Sequence, residues 1–149
     1  MKVIIAEKPS LARNIANGIG EFKRRDGYLE NKDYLITWAF GHLFSLYDIE
    51  EYSNDSNTKW RLDNIPCFPN EFKFGLKKDK NKTVDEGVEK QFNIISSLIN
   101  RSDVSEIINA GDADREGEII VRLCIDHGLK SDKRITRLWL PDQTEETVR

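Results

Sequence analysis

Short apolar runs alternate with stretches of helical periodicity along much of this 149-residue chain. Val3-Ile4-Ile5-Ala6 is the first run, and its lack of alternation predicts a strand buried on both faces, as in a parallel sheet. Pro9 and Ser10 suit a helix opening. Leu11, Ala12, Ile15, Ala16 and Ile19 then recur at helical spacing, and Gly18 and Gly20 end the helix. Glu7 and Lys8 are left in the loop at the carboxyl end of the strand. A second unit of the same kind comes late in the chain. Residues 105–110, centred on Ile107 and Ile108, predict a buried strand ended by Gly111. Ile119, Ile120, Leu123, Cys124 and His127 then mark a helix closed by Gly128. Residues 135–140 predict a further strand, stopped by Pro141. Thr144 with Glu145 and Glu146 has the makings of a helix cap and first turn, one turn from Arg149. A helix opened and not finished is expected of a fragment of a longer protein.

The middle of the chain breaks this rhythm. Residues 22–25, the turn pair Asp26-Gly27 and residues 34–40 predict a hairpin or paired strands, interrupted at Gly41-His42-Leu43. Residues 48–82 are polar, with Pro66 and Pro69, and predict a long surface excursion. Helical period returns over 84–100 through Val88, Phe92, Ile95, Leu98 and Ile99. The expected organisation is one domain over 1–149. Its core spans about 1–20 and 84–149, and an insertion spans about 21–83. The fold class is α/β, a mostly parallel central sheet flanked by helices, with an inserted hairpin and loop region.

Charge narrows the partners. The formal net charge is -3, so bulk attraction to nucleic acid is weak and any such binding needs local patches or a bound cation. Lys73, Lys77, Lys78, Lys80 and Lys82 form one basic cluster, and Lys23, Arg24 and Arg25 another; both also suit solvated loop faces. Cys67 and Cys124 lack metal-ligand spacing and make no disulfide framework, which fits a reducing, intracellular setting. Cys124 falls on the apolar side of its helix. No apolar run reaches membrane-spanning length, and Glu7 and Lys8 cut the first run too short for a signal peptide.

Asp112, Asp114 and Glu116 alternate in the loop between a buried strand and a helix. Three carboxylates this close repel one another unless a hard cation sits among them, and oxygen-only ligands favour Mg²⁺, Mn²⁺ or Ca²⁺. The same residues would also serve an ordinary acidic helix cap, since Glu116 and Glu118 in a first turn complement the helix dipole. An EF-hand is excluded: counting from Asp112, the ninth residue is Ile120 and the twelfth is Leu123, where ligands are required. Ligands in open α/β sheets bind outside the carboxyl ends of the strands. If the two strands are neighbours, Glu7 and Lys8 converge with the acidic loop on one crevice.

Taken together, Glu7-Lys8-Pro9-Ser10-Leu11-Ala12 and Asp112-x-Asp114-x-Glu116 resemble the Toprim domain, a Rossmann-like fold. Residues 37–43 (Thr-Trp-Ala-Phe-Gly-His-Leu), residues 110–118 read whole, and Arg137-Leu138-Trp139-Leu140 followed by Thr144 resemble the amino-terminal part of the topoisomerase III group of type IA topoisomerases. The resemblance implies cleavage of one DNA strand by transesterification to a tyrosine, passage of another strand through the gap, and resealing without ATP. It implies Glu7 as general acid and base at the ribose 3′-oxygen, and Lys8 on the scissile phosphate. It also implies Mg²⁺ held by Asp112 and Asp114 with Glu116 assisting. His42 reads either as a loop hydrogen-bonder or as a further DNA phosphate contact. The implied partners are single-stranded segments of DNA and the remaining domains of the same chain. The implied setting is a cytoplasmic, nucleoid-associated monomer with no membrane attachment. The family's nucleophilic tyrosine belongs to a later domain; Tyr28, Tyr34, Tyr47 and Tyr52 match no nucleophile position, so the fragment alone is expected to be inactive.

Two alternatives accompany this reading. A Toprim nuclease or primase would not be expected to carry the 38–43 element. A non-catalytic metal- or nucleotide-binding Rossmann-like module would leave Glu7 and Lys8 without a role, and Glu-Lys-Pro-Ser stands where its glycine-rich phosphate loop belongs.

Overall fold

The computed structural model describes residues 1–46, 73–78, 83–142 and 144–148. Strand β1 (Lys2–Ala6) lies inside a six-stranded sheet. It pairs in parallel with β4 (Tyr34–Trp38) on one side and β7 (Glu106–Ala110) on the other, so that Ile4 faces both Ile36 and Ile108. β8 (Arg134–Arg137) adds in parallel to β7. β2 (Lys23–Arg25) and β3 (Tyr28–Glu30) form an antiparallel hairpin that joins the sheet through β3 and β4. The order is β2-β3-β4-β1-β7-β8. A separate two-stranded ribbon pairs β5 (Phe44–Leu46) with β6 (Phe74–Leu76).

The alternation of β1 side chains between sheet faces explains the two apolar layers. Val3 and Ile5 pack with Leu35 and Ile107 against Ile95, Leu98 and Ile99 of α2 (Glu86–Ile99) and Ile120, Val121, Cys124 and Ile125 of α3 (Arg115–Gly128). Ile4 and Ala6 pack with Ile36 and Ala110 against Leu11, Ala12, Ile15 and Ala16 of α1 (Pro9–Ile19). α4 (Glu145–Val148) lies against α1. β1 is therefore covered on both faces and both edges, which is why its sequence carries no polar alternation.

The middle of the chain departs from the sequence pattern. The turn at Asp26-Gly27 leads directly into β3, a short strand the pattern did not single out. Gly27 takes φ +80°, and a Cβ there would meet the Ile94 side chain. β4 falls within the 21–83 stretch that the pattern set apart, yet it is a full partner of β1. It ends at Trp38, and β8 ends at Arg137, each shorter than the apolar runs suggested. The buried Gln91 amide ties this region to α2 by donating to the carbonyls of Gly27 and Trp38 and to the Thr37 hydroxyl. Among the described residues no helix is long and apolar enough to cross a membrane. Lys80, Lys82, Tyr47, Tyr52, Cys67 and most of the 48–82 excursion lie outside the described residues.

Candidate active site at the carboxyl edge of the sheet

The chain leaves β1 for α1 on one face and β7 for α3 on the other. β1 and β7 are neighbours, so the switch in direction opens a crevice at their carboxyl ends. Glu7 and Lys8 follow β1, and Asp112 follows β7. The two segments touch: the Asp112 main-chain N–H donates to Glu7 Oε2 at 3.1 Å. Lys8 Nζ lies 3.8 Å from Asp112 Oδ2. Lys8 is also the residue before the first turn of α1, held extended at φ −149° because Pro9 follows it. Burial pushes the Glu7 carboxyl above its usual range. The Asp112 N–H opposes this, and the nearby charges of Asp112 and Asp114 add to the upward shift.

The structure thus brings Glu7, Lys8 and Asp112 together and gives the other two carboxylates local partners. Asp114 caps α3, its Oδ1 accepting from the Gly117 N–H at 2.6 Å. Glu116, in the first turn, turns to His42, with Oε1 2.9 Å from His42 Nε2. His42 lies in the loop after β4, so that contact joins the third neighbouring strand end to the site. Among the described residues no three His, Cys, Asp or Glu side chains converge tightly enough to encage a metal ion. The donor set nevertheless suits a hard divalent cation. Its atoms are carboxylate oxygens, and Glu7 lies in the combined field of Asp112 and Asp114. Mg²⁺ in particular is commonly held by one or two carboxylates, its shell completed by water and substrate phosphate.

Two glycines let the loop sit this close. A Cβ on Gly111 would come 2.6 Å from the Gly117 carbonyl carbon, and one on Gly117 would come 2.5 Å from the Asp112 nitrogen. The end of β7 and the start of α3 therefore pack backbone against backbone.

The Toprim domain family model matches residues 2–140. The chain belongs to the Toprim domain family. Among curated proteins, the DNA topoisomerase 3 of Bacillus cereus (strain ATCC 14579) is 43% identical over 147 residues, covering 99% of this chain and 19% of that protein. The DNA topoisomerase 3 of Staphylococcus saprophyticus is 40% identical over 149 residues, again 99% of this chain and 19% of the relative. That of Staphylococcus epidermidis is 39% identical over 146 residues, 98% of this chain and 19% of the relative. The chain thus spans about a fifth of the length of these relatives.

Residues more than a hundred positions apart meet because β1 and β7 are neighbours in the sheet. Pattern reading missed the polar groups beneath the acidic loop. Asn109 is fully buried, and Arg137 donates through Nη2 to the Asp112 carbonyl at 2.6 Å. A signal for Asn109 was present: it is the one polar residue in the run Ile107-Ile108-Asn109-Ala110. Arg137 stood within a segment that carried the resemblance, without a role of its own.

Proposed function

We propose that this Toprim domain supplies the cation-binding and proton-transfer half of a type IA topoisomerase active site. The observation that carries this reading is the hydrogen bond from the Asp112 amide to the Glu7 carboxylate, which joins the Glu-Lys-Pro-Ser segment to the acidic loop. The names of the relatives favour it over a nuclease or primase.

In this reading Asp112 and Asp114 hold Mg²⁺, and Glu116 assists after leaving His42. The ion, when bound, orients the scissile phosphate and offsets its charge. Lys8, with its ammonium beside the crevice, binds a non-bridging phosphate oxygen and stabilises charge that builds there. Glu7 gives a proton to the ribose 3′-oxygen as the P–O3′ bond breaks, and takes it back when the 3′-hydroxyl re-attacks. The new bond in cleavage is from phosphorus to a tyrosine oxygen, giving a 5′-phosphotyrosine, and the phenol proton is released to solvent. None of the tyrosines of this chain is assigned that role; the remainder of the topoisomerase supplies it. Single-stranded DNA is the substrate, and His42 offers a further phosphate contact at the β4 side of the crevice.

A chimaera tests this. Substituted for the matching segment of a full-length DNA topoisomerase 3, the domain should support Mg²⁺-dependent cleavage of a single-stranded oligonucleotide. Glu7→Gln should suppress cleavage by about 10²-fold or more with oligonucleotide binding retained. Wild-type cleavage by that variant would remove Glu7 from the chemistry.

A further inference from the structure

Three polar side chains are buried among the described residues: Thr37, Gln91 and Asn109. The first two tie the β2–β3 hairpin region to α2. Asn109 points to a different task. It sits one residue before the end of β7, between Ile108 and Ala110 and fully buried, where an amide is costly unless it is bonded. Its Oδ1 accepts from the Gly111 N–H at 3.1 Å and from Arg137 Nη1 at 2.6 Å. Its Nδ2 donates to Glu118 Oε2 at 3.1 Å. One amide therefore reaches the acidic loop, β8 and α3.

Its partners are themselves interlocked. Arg137 Nε lies 3.2 Å from Glu118 Oε2 while Arg137 Nη2 holds the Asp112 carbonyl. Arg122 holds the other Glu118 oxygen through Nη2 at 2.9 Å. The Asp112 residue is thus held on both sides, its N–H by Glu7 and its C=O by Arg137. These two holds differ in kind. Glu7 is assigned to the reacting oxygen, and a carboxylate that turns to substrate loosens its grip on the Asp112 N–H. Asn109, Arg137 and Glu118 have no such second duty.

We propose that Asn109 is a positioning residue: with Arg137 and Glu118 it clamps residues 111–112, keeping the Asp112 carboxylate in register with the crevice while Glu7 changes partners. The assignment rests on the function proposed above for Glu7 and Asp112. An amide is suited to this place because a single planar group offers an acceptor to the loop and arginine and a donor to the carboxylate. A leucine of the same branched shape would suit the apolar surroundings and make none of these bonds.

Amide hydrogen exchange followed by NMR on the 149-residue chain without added metal tests the clamp apart from the function. In Asn109→Leu the Gly111 and Asp112 amides should exchange at least about tenfold faster while β1 and α1 amides keep their protection; unchanged Gly111 and Asp112 protection overturns the clamp. If that variant does not fold, a smaller truncation decides. Asn109→Ala removes both arms of the amide without added bulk, so Gly111 should exchange at least about tenfold faster, and retained protection overturns the proposal. Titration with MgCl₂ then tests the consequence. Asn109→Leu should bind about 10–100-fold more weakly, the usual effect of removing a group that orients a metal ligand. Equal affinity would overturn the positioning role. Failure of the parent chain to bind Mg²⁺ would count against the metal reading alone, since the exchange result does not involve the ion.

Discussion

His42 Nε2 and Glu116 Oε1 lie 2.9 Å apart, joining the loop after β4 to the first turn of α3. Both side chains are well exposed, at 43% and 71%, so the contact adds little to stability, about 0–1 kcal/mol. In the proposed function its meaning is competition, since the Oε1 atom held by His42 is withdrawn from any cation that Glu116 would assist. His42→Ala should therefore leave thermal stability nearly unchanged and Mg²⁺ affinity equal or higher, whereas Glu116→Gln should lower it. Isothermal titration of the two variants checks this, and tighter binding by Glu116→Gln would count against Glu116 as a ligand.

Asp114 has two separable tasks, and two substitutions divide them. Asp114→Asn keeps an oxygen for the Gly117 N–H and should cost only a few tenths of a kcal/mol in urea unfolding. Asp114→Ala removes the cap and should cost about 1 kcal/mol. Both should weaken Mg²⁺ binding, and Asp112→Asn combined with Asp114→Asn should abolish it. Retained binding by the double variant would end the metal assignment.

Gly117→Ala should be among the more damaging small changes in the domain. The added Cβ would lie 2.5 Å from the Asp112 nitrogen and 2.7 Å from its carbonyl oxygen. Both are backbone atoms that no rotamer change can move. A loss of about 1–3 kcal/mol is expected, although alanine is the better helix former. Gly20→Ala serves as a contrast, because nothing lies within 4 Å of its added Cβ and only its φ of +148° opposes the change. Urea midpoints of the two variants give the comparison.

Glu106 sets a pH dependence far from the crevice. The Lys2 ammonium, 3.0 Å away, holds its carboxyl below the usual range, and the Thr136 hydroxyl adds to this. A depressed folded-state pKa means the folded protein binds that proton less readily than the unfolded chain. The resulting stability is full above the unfolded value near 4.5 and is lost as pH falls through the folded value. Glu106→Gln should therefore lower the melting temperature at pH 7 and narrow the gap between melting temperatures at pH 7 and pH 3. An unchanged gap would mean that Glu106 contributes nothing to acid sensitivity.

The parallel core was legible because burial on both faces leaves a simple mark. Val3-Ile4-Ile5-Ala6 and Ile107-Ile108 have no polar alternation, and the stripes of α1 and α3 repeat at helical spacing. The acidic loop was legible because mutual repulsion makes three close carboxylates conspicuous. β3 was not legible: its three residues are half-buried, with no apolar run to mark them, and pairing on both sides holds them as a strand. The membership of β4 in the core was hidden for a similar reason, since adjacency to β1 is a tertiary fact. The capping by Asp114 was one of the two readings its place before a helix offered, whereas the partner of Glu116 is a histidine 74 positions away, which spacing alone does not carry.

The central place of β1 also matters during synthesis. β1 is made about a hundred residues ahead of β7, the strand that covers its second edge. At ordinary translation rates that delay is about 5–20 s. Throughout it, Val3-Ile4-Ile5-Ala6 presents an uncovered apolar edge of the kind that pairs with other chains. The arrival of β7 closes that edge and brings Asp112 to Glu7 in the same step. The pairing that covers the second edge of β1 is thus also the one that assembles the crevice.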